Sequence, residues 1–337
     1  MSESEYLNMV NSLKKRYKVA MSLDDWFGLP IVIFRLGGRE EPPILITAGA
    51  SGIEVAGVYA AFELILQVDV DRTVYILPSR DPTGFHDISF ILSRMLGENL
   101  IIRDVRDMYE ILKSYDAEIL IDDQLFFALL KGIGIACSED LSAYNTLKLL
   151  EKRIRESDLL ESLDETRILV TSQMSSVEGV GALGRCISSM LLNSKLVTYD
   201  DFHEKCIPET AQLRNFINLQ QPGMVIDLHE GEGDGFYVLV KEDPAGNELT
   251  IIDLVLDQVN VYGMRLASAE TSFNQNVTSL REGLLVGMGR CGLIDYVAQE
   301  CYAFGFTTPW NHPLEQRIKT LLTACLSALN AYAVAGL

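Results

Sequence analysis

Basic residues are scarce in this chain: 28 Lys and Arg stand against 47 Asp and Glu, a formal net charge of −19 over 337 residues. No extended basic tract occurs. Nucleic acid and anionic membrane surfaces are recognised through clustered cations, so neither is expected as a partner. Cysteine is sparse as well, with Cys137, Cys186, Cys206, Cys291, Cys301 and Cys325 dispersed and no C-x-x-C pair. Such thiols read as reduced, mostly buried small hydrophobes of a cytoplasmic protein. Met1 to Tyr6 offers neither a basic n-region nor an apolar h-region, so the start does not read as a signal peptide. No apolar run reaches the roughly 20 residues of a membrane span. The nearest, Leu321 to Leu337, is uncharged but carries Thr323, Asn330 and Tyr332 and reads as a buried C-terminal helix. Internal repeats, low-complexity tracts and Pro/Ser-rich linkers are also lacking, which leaves one domain over 1–337. What the chain has is 48% hydrophobic and 22% charged residues, a globular balance that excludes intrinsic disorder.

The apolar run Ile31 to Leu36, the Gly37-Gly38 turn signal and a second run, Ile44 to Thr47, form a hairpin candidate. The second run passes through Ala48 to Gly52 into an amphipathic pattern with Ile53, Val58, Phe62, Ile65 and Leu66 on one side. A further strand, Thr73 to Leu77, ends at Pro78. Strand, helix, strand at this spacing is a βαβ unit, so the fold class is α/β with a parallel core to its sheet. Residues from about 90 to 170 interrupt the pattern as an insertion, with several helical periodicities and the strand-like Glu118 to Ile121. Its charged segment, Glu151 to Asp158, reads as a solvated helix face. Strand signals return at Thr166 to Thr171, Met224 to His229 and Gly235 to Val240, followed by a helix over Asp253 to Tyr262.

Sites in open α/β sheets lie beyond the C-terminal ends of strands. Two such ends carry chemistry-bearing residues: Ser51-Gly52-Ile53-Glu54, and Asp227-Leu228-His229-Glu230. Their order and setting resemble the zinc carboxypeptidase family, with its succinylglutamate desuccinylase and aspartoacylase relatives. There a G-x-H-G-x-E turn gives a His and a Glu to zinc, and a later D-L-H strand end gives the third ligand. Further blocks are similar to that family: Leu77 to Phe85 to its N-P-D-G loop, Pro208-Glu209-Thr210 to its P-E-T, and Phe306 to Trp310 with Pro313 to Ile318 to its T-x-E-T-P and following helix. The resemblance spans about two-thirds of the chain and implies a mixed, largely parallel central sheet with helices on both faces.

The resemblance also places the residues of the site. Glu54 and His229 stand as zinc ligands, and Ser51 occupies the position of the family's first His. Thr307 stands where the catalytic Glu belongs. In Tyr199-Asp200-Asp201-Phe202, the counterpart of a substrate-binding N-R-N/D-F motif, Asp200 replaces the Arg that clamps a terminal carboxylate. Arg185 is the counterpart, by spacing, of the Arg that polarises the scissile carbonyl. A hydroxyl is a poor zinc ligand, so the zinc site is weakened unless Asp81, Glu230 or His86 moves in. Losing the Glu removes a general base, a group worth 10²–10⁴-fold in typical enzymes.

Two readings follow: a metal-dependent amidohydrolase acting on a small amide or peptide, or a catalytically silent relative whose pocket binds a small molecule, peptide or partner. A third class arises from Ser51 on a strand–turn–helix, with His229 as base and Asp81 or Asp227 as its orienter, though Ile53 stands where a nucleophile elbow requires Gly. Each residue has a plainer role too: Ser51 as a helix cap, Glu54 in the first turn for the helix dipole, and Glu270 as a surface glutamate.

Overall fold

The computed structural model describes residues 4–121, 125–156, 163–173, 183–270, 277–287 and 292–334. The first part of the chain supplies α1 (Glu5–Lys14), β1 (Lys18–Asp24), β2 (Pro30–Gly37), β3 (Glu40–Ala48), α2 (Val55–Gln67) and β4 (Arg72–Leu77). The middle supplies α3 (Ile88–Leu96), α4 (Val105–Ser114), β5 (Glu118–Ile121), β6 (Phe126–Leu130), β7 (Ile133–Ser138), α5 (Ala143–Glu156), β8 (Arg167–Ser172), β9 (Ile187–Leu192) and β10 (Lys195–Thr198). Then come α6 (Pro208–Gln220), β11 (Met224–Gly231), β12 (Tyr237–Val240), α7 (Asn247–Val261), β13 (Val277–Arg281), β14 (Leu284–Gly287), α8 (Leu293–Val297), β15 (Tyr302–Pro309) and α9 (Leu314–Val334).

These strands form a nine-stranded sheet, ordered β1-β2-β4-β3-β11-β15-β12-β14-β13, and a six-stranded sheet, ordered β10-β9-β8-β7-β6-β5. The centre of the large sheet, β4-β3-β11-β15, is parallel, while its flanks mix directions. The βαβ unit β3–α2–β4 is present as the spacing predicts. The expected hairpin is not. β4 lies between β2 and β3, pairing antiparallel with one and parallel with the other. Gly37 and Gly38 do turn the chain, but the apolar Thr73–Leu77 run takes the place beside β2. The antiparallel partner on the far side is β1, whose Val19, Met21 and Leu23 alternate with more exposed residues as an edge strand should.

Alternation along the central strands divides their side chains between two cores. Ile44, Ile46, Ala48, Ile226, Leu228, Phe304 and Phe306 pack on one face with α2, α7 and α9. Leu45, Val225 and Ala303 pack on the other with α6 and α8. Each larger apolar side chain buried fully in this way, a Val, Leu, Ile or Phe, contributes about 1.5–3 kcal/mol. Helices therefore cover both faces, which is why β3 and β11 read as near-continuous apolar runs. The second sheet repeats the plan: Phe126, Ala128 and Leu130 face α3 and α4, whereas Phe127 faces α5. Its strands extend to Thr198, and from there the chain crosses to the large sheet at Tyr199 and Phe202, both buried in the second face's core. Among the described residues, no helix is long and apolar enough to cross a membrane. Cys137, Cys186, Cys206, Cys301 and Cys325 are free thiols, and Cys291 lies outside the described residues.

Candidate functional site

The register of the central strands sets the site. Asp227 pairs with Thr47 on β3, and His229 pairs with Thr307 on β15. All four are odd-numbered residues of their strands and share the face that carries α6 and α8. Glu230, one residue on, takes the opposite face. There its carboxylate accepts from the Ala56 amide at 2.7 Å, at the start of α2, and from Arg317 of α9.

After β3 the chain turns sharply at Gly49, whose φ of +58° suits glycine. At Gly52 a side chain would lie 1.8 Å from the Gly84 carbonyl carbon, so only glycine lets the two loops meet. The Glu54 amide donates to the Ser51 carbonyl at 3.0 Å, and the Ser51 amide donates back to Glu54 Oε2 at 3.2 Å. Glu54 is the residue preceding α2 rather than part of its first turn, and it makes no capping bond. Ser51 does not cap the helix either, since its hydroxyl is buried without a hydrogen-bond partner. The tight Ser51–Glu54 turn instead curls the Glu54 carboxylate back toward the strand ends.

There it meets His229, with Glu54 Oε1 3.0 Å from Nδ1. The other ring nitrogen, Nε2, lies 2.8 Å from Asp227 Oδ2. Asp227 Oδ1 accepts from the Thr47 hydroxyl at 2.7 Å, and Oδ2 also accepts from Arg80 at 2.7 Å. Arg80 follows β4, and its own amide donates to the Ala48 and Gly49 carbonyls. Its guanidinium continues to the Tyr199 carbonyl at 3.4 Å and to Asp200 Oδ1 at 3.5 Å. The result is one chain of alternating charge: Glu54, His229, Asp227, Arg80, Asp200.

Burial alone would lift the Asp227 carboxyl, but Arg80 and His229 outweigh it and hold it down to about 2. For His229, burial favours the neutral ring, yet the carboxylates of Asp227 and Glu54 raise its pKa well above the ordinary value. Asp200 is pushed up to about 6 by burial, against the pull of His229 and Arg80. Its side chain is 43% exposed, however, against 1% for Asp227, so water moderates that shift.

The remaining residues singled out in the sequence divide by position. Thr307 lies beside His229 and is hydrogen-bonded by Tyr237. Tyr199 offers the site its carbonyl, while its phenol donates to Glu209 at 3.4 Å inside the core. Arg185 donates to the Phe85 carbonyl at 2.7 Å and stacks on the Phe85 ring, beside Tyr59. No hydrogen bond or ion pair joins Arg185 to Glu54 or His229. The candidate replacement ligands are committed elsewhere. Asp81 accepts from the Gly84 and Ser188 amides, and His86 is held by Ser4 and the Pro82 carbonyl. No hydrogen bond links the Ser51 hydroxyl to His229, whose two nitrogens are taken by carboxylates, so a Ser51–His229 pair is not assembled. Glu270 lies exposed at the surface.

Arg80 is the residue sequence reasoning missed. A lone Arg after Pro78 and Ser79 reads as loop, and its chief partner lies 147 residues away. The one available signal was an Arg directly beyond the end of an apolar strand, where sites form.

These residues do not make a complete zinc site. Glu54 and His229 would supply two ligands and the orphaned Ser51 hydroxyl a weak third. Asp200, Asp227 and His229 also present ligand atoms within 4.8 Å of one another. There, however, Asp227 Oδ2 is already shared between Arg80 and His229, and a permanently charged guanidinium lies 2.7 Å from that oxygen.

No model of a known protein family matches the sequence, and no curated protein matches it. Solved structures do. A presumed metallopeptidase from Shewanella amazonensis aligns over 97% of this chain and 96% of its own, with a TM-score of 0.51 at 15% identity. One from Shewanella denitrificans aligns over 97% and 93%, also at 0.51, with 13% identity. The carboxypeptidase A of Helicoverpa armigera aligns over 98% of this chain and 72% of its own, with a TM-score of 0.49 at 12% identity. The chain has the fold of the two Shewanella proteins. At these identities the likeness establishes the fold, and the chemistry rests on the residues. Two shallow clefts, one bordered by Tyr262 and Lys319 and the other by Asn218 and Tyr296, share no residue with the strand-end cluster.

Proposed function

We propose that the chain is a catalytically silent relative of the zinc carboxypeptidases, whose strand-end pocket binds a small ligand carrying an amine or guanidinium group. The observation that carries this reading is Asp200: a half-exposed carboxylate at the mouth of the cluster, with its nearest cation 3.5 Å away. A ligand cation there gains a charge-assisted hydrogen bond in a partly desolvated setting. An anion would instead face Asp200, Glu54 and Asp227. Silence follows from Thr307, a hydroxyl that cannot take a proton from water at neutral pH.

A second reading, a metal-dependent amidohydrolase built on Glu54 and His229, draws on one feature. Asp227 holds His229 by Nε2 and directs Nδ1 toward Glu54, as a carboxylate partner does for a metal-bound histidine. One pair of assays separates the two. Amino-acid release from a mixed peptide library in excess zinc should be absent, and arginine or agmatine should raise the melting temperature of the wild type but not of Asp200→Asn. Turnover abolished by His229→Ala would replace the first reading with the second.

A further inference from the structure

Arg80 is 2% exposed, yet its guanidinium sits among the carboxylates of the site. One terminal nitrogen reaches Asp227 Oδ2 at 2.7 Å and Asp200 Oδ1 at 3.5 Å, and the other reaches the Tyr199 carbonyl. The planar group lies 5.6 Å from the centre of the Phe202 ring, which closes its remaining side. Its Nε atom is buried without a partner. A buried cation held by one close carboxylate, one longer contact and a carbonyl fixes the local charge rather than the local shape. Asp200, Asp227 and His229 are the described residues whose ligand atoms converge as a metal would require, and Arg80 touches two of the three. A divalent ion placed among them would stand beside a guanidinium that keeps its charge at any ordinary pH, and like charges at such separation repel strongly in a partly desolvated site.

We propose that Arg80 is the resident cation of this site, standing in for a metal ion: it anchors Asp227, and through Asp227 the Nε2 side of His229, and it keeps divalent ions out. Removing its charge should then turn an ion-pair cluster into a metal-binding one. This rests on the charge geometry alone. The ligand reading stands or falls on Asp200→Asn and the guanidinium compounds, so failure of one is told apart from failure of the other.

The test compares the full chain with Arg80→Met by zinc competition against a fluorescent chelator, together with melting temperatures in chelator and in zinc. The wild type should melt at the same temperature in both. Arg80→Met should melt lower in chelator, recover toward the wild type in zinc, and bind zinc at least tenfold more tightly than the wild type. Should Arg80→Met not yield folded protein, Arg80→Gln, which keeps a donor for Asp227 but drops the charge, decides by the same readouts. Tight zinc binding by the wild type would overturn the proposal. So would zinc affinity in Arg80→Met and Arg80→Gln no higher than in the wild type.

Discussion

Asp227→Ala is the substitution to which the charge chain should be most sensitive. Asp227 is fully buried and accepts three bonds, from Thr47, Arg80 and the Nε2 edge of His229, at 2.7, 2.7 and 2.8 Å. Its removal leaves a buried guanidinium with only the longer contacts to Asp200 and the Tyr199 carbonyl, a ring nitrogen with no partner, and an unpaired hydroxyl. Breaking a buried ion pair by deleting one partner costs about 3–5 kcal/mol, because the other charge stays desolvated. At about 2 °C per kcal/mol, the lower end of the range for large domains, the melting temperature should fall by about 6–10 °C. Glu151→Ala serves as the control. Its partner Arg155 lies one helical turn away and both are solvated. An exposed pair of this kind contributes about 0.3–0.5 kcal/mol, so the control should move by about 1 °C or less. Thermal denaturation followed by circular dichroism measures both. If Asp227→Ala melts within about 2 °C of the wild type, the cluster does not carry the energy assigned to it.

Two further outcomes are expected. Stability should fall as pH rises from 6.5 to 8: burial pushes the Asp81 and Glu230 carboxyls up to about 7, and the pKa of His229 is raised by its carboxylates, so all three hold protons in the fold that the unfolded chain has released. His86, lowered to about 4, is neutral in the fold, while the unfolded histidine still holds about half a proton at pH 6.5, so it opposes the three only in part and only at the lower end of that window; a melting temperature that climbs between pH 6.5 and 8 would contradict the assignment. Ser51→His should tighten zinc binding at least tenfold, about 1.4 kcal/mol, while peptide hydrolysis stays undetectable because Thr307 remains, and chelator competition with an amino-acid release assay reads both.

The parallel core was legible because β3 and β4 are apolar runs closed by Gly49 and Pro78, with the α2 periodicity between them. Glu54 and His229 were singled out by the family resemblance at two strand ends, and Asp227 and His229 at i and i+2 share one strand face, but Glu54 precedes α2 rather than lying in its first turn. The order β2-β4-β3 could not be read, since a Gly-Gly turn says where a chain reverses and not which strand fills the neighbouring position. Of the second sheet, β5 and β8 were read as strands, but β6, β7 and β10, at four to six residues, are too short for a periodicity to accumulate, and their assembly into a sheet was hidden. Arg80 was hidden for another reason. Its meaning lies in charges brought to it from β11 and from the segment after β10, and nothing near it in sequence marks them.

With Arg80 as its resident cation, the strand-end cluster is proposed to need no metal ion. Elemental analysis of the wild-type chain after dialysis against a chelator and then against equimolar zinc tests this most directly. The expected result is well under one zinc per chain, unchanged by His229→Ala. One zinc retained per chain, and lost in His229→Ala, would contradict it.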